Sequence, residues 1–170
     1  LKSHQKGDRY DLSQITLCTH TGTHIDAPRH FLEDGATIEN LRLSVFYGPC
    51  TVVTIKGILT GEDMEKLLPY CKRRVIFKGS GKAYLSHSAA LVLADSNVLL
   101  AGTDSLSIAA EFDDERVHYE LARGDVCVLE CLDLSGIDDG EYTLCAFPVK
   151  LEGLEAAPCR AILLGQQKGY

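Results

Sequence analysis

Four side chains able to ligate a metal or carry a proton, His20, His24, Asp26 and His30, fall within the eleven residues of HTGTHIDAPRH. Each needs a partner once it leaves water, and a hard or borderline divalent cation is a partner that all four could share. On a helix, advancing about 100° per residue, His20 and His24 would stack while Asp26 and His30 rotated to another face. In extended chain every second side chain points the same way, and all four positions are even. Gly22 permits a tight bend between the first two histidines, and Pro28 pushes Ala27 toward extended geometry. The expected backbone is a strand end running into a rigid, kinked loop. A lone histidine is more often a surface or hydrogen-bonded core residue than a ligand, but four grouped groups with Gly22, Thr23 and Pro28 among them favour a metal or proton-transfer site.

A second constellation lies downstream. Glu130 ends an otherwise apolar strand, where an ionised carboxylate is costly unless a cation or hydrogen bonds meet it. His118 lies twelve residues earlier on a predicted helix that could return antiparallel across that strand. On spacing alone, His118 reads as a solvent-facing helical histidine and Glu130 as a salt-bridged glutamate.

The elements that must position these groups alternate between strands and helices. PCTVVTIK, from Pro49 to Lys56, is β-branched and reads as a strand. Thr60 with Asp63 resembles a capping box opening a helix through Leu67 and Leu68. RVIFK, from Arg74 to Lys78, is the next strand, and the GSGK after it is too short and misplaced for a phosphate-cradling loop. Ser86 is placed to cap a helix over Ala89 to Ala94, and NVLLAG supplies another buried strand. DDERVHYELARG has acidic residues at its start, Arg123 near its end and Gly124 beyond, the pattern of a helix. DVCVLECL and EYTLCAFPV read as strands with IDDG as the turn between them. The opening LKSHQKGDRYDL is polar, without periodicity, and reads as loop or linker.

A chain of 170 residues, 45% hydrophobic and 24% charged, fits one globular α/β domain over 1–170. The formal charge of −7, with no basic run or aromatic-basic patch, argues against nucleic acid or an anionic membrane as partner. The seven cysteines contain no CxxC pair, and several sit in apolar runs as small hydrophobes, so a reducing cytoplasm is the expected location. Neither a signal peptide nor an apolar run of membrane-spanning length is visible.

HTGTHIDAPRH resembles the signature HxGTHxDxPxH of the cyclase-like metal-dependent hydrolases, the family that includes bacterial kynurenine formamidase and isatin hydrolase. AGTDSLSI, from Ala101 to Ile108, resembles the family's GxDxxS segment, VLECLDL its ExLxNL segment, and PCRAILL its closing PxRA stretch, all in the right order. Asp133 stands where the family often has asparagine. The resemblance implies a swivelling β/β/α domain with a central barrel-like sheet flanked by helices. It also implies a longer stretch before the signature, carrying aromatic residues near the substrate; here about twenty residues precede His20, and there is no tryptophan. It reverses the reading of His118 and Glu130, which match a histidine and a glutamate that complete a second metal position.

The site so implied has His20, His24 and Asp26 holding one divalent cation and Asp26, His118 and Glu130 a second, with the aspartate bridging. Zinc suits the imidazoles and manganese is the rival, one or two ions per chain. The expected reaction is hydrolysis of a carbon–nitrogen bond by metal-activated water. His30 is the candidate general acid or base, and Glu130 is assigned both ligation and proton transfer. Asp104 is expected to orient a ligand or a strand end. An arylformamidase-like activity leads, with opening of a cyclic amide, imide or isatin as the alternative. A catalytically silent metal-binding or interaction module on the same fold is the reading from a different class. The expected partners are a small-molecule substrate and, by resemblance, further copies of the chain in a dimer or tetramer.

Overall fold

The computed structural model describes residues 1–165. The middle of the histidine-rich run forms the first strand, β1 (His24–Asp26), with all three residues buried. There follow β2 (Tyr47–Thr54), β3 (Gly57–Leu59), α1 (Gly61–Leu67), β4 (Arg74–Lys78), β5 (Ala83–Leu85), α2 (His87–Ala94), β6 (Leu100–Thr103), α3 (Asp114–Arg123), β7 (Cys127–Glu130), β8 (Gly140–Cys145), β9 (Ala156–Pro158) and β10 (Ile162–Leu164). Eight strands form one curled, half-barrel sheet in the order β10-β8-β2-β4-β6-β7-β1-β9, and β3 pairs with β5 apart from it.

Strands β2, β4, β6 and β7 are parallel, with α2 and α3 as crossovers. Helices on one face and the curl of the sheet on the other bury these strands on both sides, which is why RVIFK and CVLE read as continuous apolar runs. The pleat divides the core. Val128 packs with Val117 and Leu121 of α3, whereas Ile25, Cys127 and Leu129 pack into the concave side with Phe46, Val52 and Leu144. Glu130 follows the alternation of Val128, and His24 is its register partner on β1, so both carboxylate and imidazole lie on the α3 side.

The start and stop signals act as expected, with local adjustments. Thr60 and Asp63 form a complete capping box on α1, after which Leu68–Tyr70 tighten into a 3₁₀ turn. The Ser86 hydroxyl accepts from Ala89 N–H at 3.2 Å and caps α2. Gly124 ends α3 at φ −84°, outside the left-handed region. What requires glycine there is space: a Cβ would lie 2.5 Å from Ala94 Cα.

The expected turn between VLECL and EYTLC is a correction. β7 lies between β6 and β1, and β8 between β2 and β10, so IDDG joins no hairpin. Cys131, at φ +57°, turns the chain away directly after Glu130. The carboxylate of Asp139 instead accepts the backbone N–H and hydroxyl of Thr54, fastening the end of β2. The N-terminal stretch is loop with one 3₁₀ turn, His4–Lys6, closed by a Lys2–Leu12 bridge. Among the described residues no helix is long and apolar enough to cross a membrane.

Candidate metal centre

Gly22 takes φ +67°, and a Cβ there would meet nothing within 4 Å, so it is the backbone conformation that calls for glycine. Its carbonyl accepts from His24 Nδ1 at 2.8 Å. A carbonyl only accepts, so Nδ1 carries the hydrogen and a neutral His24 turns the lone pair of Nε2 inward. His118 is arranged the same way: Nδ1 donates to the Asp114 carbonyl at 2.9 Å, one turn earlier in α3. Its Nε2 then faces Glu130 Oε1 at 3.1 Å and Asp26 Oδ2 at 3.9 Å.

The sheet brings the acids to these rings. His24 Nε2 is 3.4 Å from Asp26 Oδ1 and 3.5 Å from Glu130 Oε2, and His20 Nδ1 is 3.0 Å from Asp26 Oδ1. The other Glu130 oxygen accepts the Ile108 N–H at 2.8 Å. That amide comes from the GTDSLSI loop, which is clasped to α3 by a 2.6 Å hydrogen bond from Ser107 to Asp114. The Thr23 hydroxyl donates to the Cys131 carbonyl at 2.7 Å, tying the entry of β1 to the exit of β7.

Asp26 is 4% exposed, and neither carboxylate oxygen has a hydrogen-bond partner; His24 Nε2, 2% exposed, has none either. Buried polar atoms left bare in this way cost free energy on the order of 1–3 kcal/mol each, and more for a charged group. Lone pairs of imidazole and carboxylate converging on one point repel unless a proton or a cation lies between them. The donor set of nitrogen and oxygen, and the orphaned atoms at its centre, fit a divalent cation. Among the described residues two groups have ligand atoms all within 4.8 Å of one another: His24, Asp26 and Glu130, all buried, and His20, Asp26 and His30, which run from the buried aspartate out to the exposed His30.

Charge follows geometry. The Asp26 carboxylate, 3.0 Å from Nδ1, raises the pKa of His20 above the ordinary histidine value. Burial would lower those of His24 and His118, but the facing carboxylates outweigh it and raise both, His118 to about 9. Burial likewise pushes Glu130 up, and the two histidines override it and hold it well below the usual carboxylate range. His30 is the exception, lowered by partial desolvation despite the Asp26 charge, with His20 and His118 adding to the shift.

All six residues picked out in the sequence are thus gathered at one end of β1 and β7. The grouping differs in detail from that expected. His24 stands with Glu130, and His30 lies within ligand distance of His20 and Asp26 instead of apart from them. The His30 ring is 4.4 Å from that of His20, and Phe31 stacks on His118 at 4.9 Å. Asp104 accepts N–H groups from Gly79 and Ser80, tying the GSGK loop to the end of β6. Asp133 caps a surface turn through Ser135. Sequence reasoning missed Glu155, whose Oε1 lies 3.3 Å from His20 Nε2. Its only signal was an acidic residue just before the small-residue strand AAP, and nothing in linear spacing connects it to His20.

Comparison with known proteins agrees with this architecture. Residues 2–110 match the family model Cyclase, described as "Putative cyclase". The chain is 36% identical over 166 residues to a kynurenine formamidase of Delftia acidovorans, covering 90% of this chain and 79% of that protein. It is also similar to a solved structure described as a "potential metal-dependent hydrolase with cyclase activity", with TM-score 0.79 and 33% identity over 88% of this chain and 81% of that one. An isatin hydrolase bound to the product analogue thioisatinate shares the fold at TM-score 0.73 and 19% identity, over 88% and 73% of the two chains. With well over half of its residues matched by the family model, the chain belongs to the cyclase family.

Proposed function

We propose that the protein is a metal-dependent hydrolase that cleaves the carbon–nitrogen bond of a small amide, with an aromatic formamide of the formylkynurenine type as its leading substrate and a cyclic amide or imide as the alternative. The observation that carries this is the buried Asp26 carboxylate, bare of hydrogen bonds and ringed by His20, His24, His118 and Glu130. The 36% identity to a kynurenine formamidase supports the choice of substrate class.

In this reading His20, His24 and Asp26 hold one cation and Asp26, His118 and Glu130 a second, zinc before manganese. A divalent cation held there would supply Lewis acidity and would lower the pKa of a water from about 15.7 to about 7. The remaining work belongs to the chain. Gly22 and Asp114 carbonyls fix two rings by their Nδ1–H groups, and Ile108 N–H fixes Glu130. His30, whose pKa desolvation lowers and which stands at the exposed rim, is suited to take the proton from the attacking water and return it to the departing nitrogen. Glu130 is the second candidate for that transfer.

The chain is read as one domain acting in the cytoplasm, where its seven cysteines, none of them paired, stay reduced. It is further read as a homo-oligomer, dimer or tetramer; exposed Leu106 and Phe112, at 87% and 78%, support self-association. The test is an assay of the zinc- and manganese-loaded protein against N-formylkynurenine, isatin and simple cyclic imides. Hydrolysis of one of them, abolished by chelator and restored by metal, is expected. A fully loaded protein that turns over none of them, or one whose turnover ignores chelator, would overturn the proposal, the first outcome favouring a silent binding module.

A further inference from the structure

We propose that Glu155 is the positioning residue for His20: its carboxylate accepts the Nε2–H of the ring, so that Nδ1 offers its lone pair to a cation beside Asp26, and its charge strengthens that donation. The proposal rests on the metal-site reading above.

His20 precedes β1 and is held by no strand pairing, yet its ring is bracketed by two acids. Nδ1 lies 3.0 Å from Asp26 Oδ1 and Nε2 lies 3.3 Å from Glu155 Oε1. A neutral imidazole has one N–H to give, so the two carboxylates compete for it. Their surroundings decide the contest. Asp26 is buried and its oxygens belong to both ligand groups, whereas Glu155 is one-third exposed and already accepts the Thr19 hydroxyl at 2.6 Å. A cation at Asp26 bars the proton from Nδ1 and sends it to Nε2, where Glu155 stands. The 3.0 Å separation of Nδ1 and Oδ1 is also what two ligands about 2.0–2.2 Å from one ion and near a right angle would show.

Glu155 is itself held from two sides. Its carbonyl accepts the Ala27 N–H at 2.8 Å, an extension of the β1–β9 register in which Asp26 faces Ala156. Its carboxylate reaches back over Thr19 and His20. One residue therefore grips the chain on both flanks of the ligand run. The outer nitrogens of His24 and His118 meet neutral backbone carbonyls, those of Gly22 and Asp114. His118 Nδ1 also lies 3.5 Å from Asp114 Oδ1, but beyond its 2.9 Å bond to the backbone carbonyl, whereas the outer nitrogen of His20 has the Glu155 carboxylate at 3.3 Å, the arrangement that orients a ligating histidine and raises its basicity.

The test uses cobalt(II) alone with the full chain. Glu155→Ala should weaken cobalt affinity about 10–100-fold, and Glu155→Gln, which keeps an acceptor but loses the charge, by a smaller factor. The metal-free melting temperature should fall only slightly in both, by the loss of the Thr19 and His20 contacts, because the backbone bond to Ala27 survives. In proton NMR of the cobalt-loaded wild type, three shifted, exchangeable imidazole N–H signals are expected, and the one from His20 should vanish by fast exchange in Glu155→Ala. Wild-type affinity and all three signals in Glu155→Ala would overturn the proposal alone. Should that variant not fold, wild-type affinity in Glu155→Gln would overturn it. A wild-type chain that takes up no cobalt would overturn the metal reading as well.

Discussion

His24 and Glu130 face each other in register across the antiparallel β1–β7 pair, with Nε2 and Oε2 3.5 Å apart and the imidazole nitrogen without a hydrogen-bond partner. The sheet therefore holds a donor pair ready, and removing either donor should be felt first in metal binding. His24→Ala is expected to lose the bound metal and the activity together. Elemental analysis beside the hydrolysis assay checks this; a variant with full metal content and no activity would show that His24 does other work.

His30 stands at the rim, within reach of His20 and Asp26. As the proton carrier, His30→Ala should keep its metal and lose turnover by about 10²–10⁴-fold. The same two measurements decide the matter. A variant emptied of metal would make His30 a ligand and move proton transfer to Glu130.

The metal-free protein should have a distinctive pH profile. His118 titrates in the folded state at about 9 against an ordinary value of 6.5, so its contribution is complete below pH 6.5 and lost as pH rises toward 9. Glu130 is depressed from 4.5 to about 2, so its contribution is complete above pH 4.5 and lost as pH falls toward 2. His20 and His24 shift in the same direction as His118 and outnumber His30, which shifts the other way. The melting temperature in chelator should therefore be highest between about pH 4.5 and 6.5 and decline toward pH 9. With divalent metal the alkaline slope should reverse, because binding must displace those protons. Calorimetry with and without chelator reads both slopes, and a chelated protein that grows more stable from pH 6.5 to 9 would contradict the charge assignment.

Gly124 gives a prediction about the scaffold. With Ala94 backbone 2.5 Å from where a Cβ would stand, Gly124→Ala must push α2 and α3 apart. A loss of about 1–3 kcal/mol is expected in denaturant unfolding, accompanied by weaker metal binding, since α3 carries His118. Unchanged stability would mean that the helix contact yields without cost.

Much of the centre was legible in linear sequence because β1 is short and its neighbours are close: Gly22 and Pro28 announced the bends around His24 and Asp26, and even spacing announced the shared face. His20 and His30 lie beyond the strand, so the alternation that aimed His24 and Asp26 did not determine which partner each would meet. His118 and Glu130 emerged from resemblance, their spacing alone favouring a solvent-facing histidine and a structural, salt-bridged glutamate. Glu155 depended on the β1–β9 pairing, a contact made by residues more than a hundred positions apart, and no local pattern encodes that. The false hairpin at IDDG had the same origin: turn chemistry is local, but whether two strands pair depends on which others fill the sheet between them, here β2, β4 and β6.

The most direct test of the account is the divalent metal retained per chain after dialysis at neutral pH, measured on wild type and on Asp26→Ala, the residue common to both ligand groups. The account predicts at least one equivalent in the wild type and none in the variant. A wild-type chain that retains no metal after reloading, or an Asp26→Ala chain that retains as much as wild type, would contradict it.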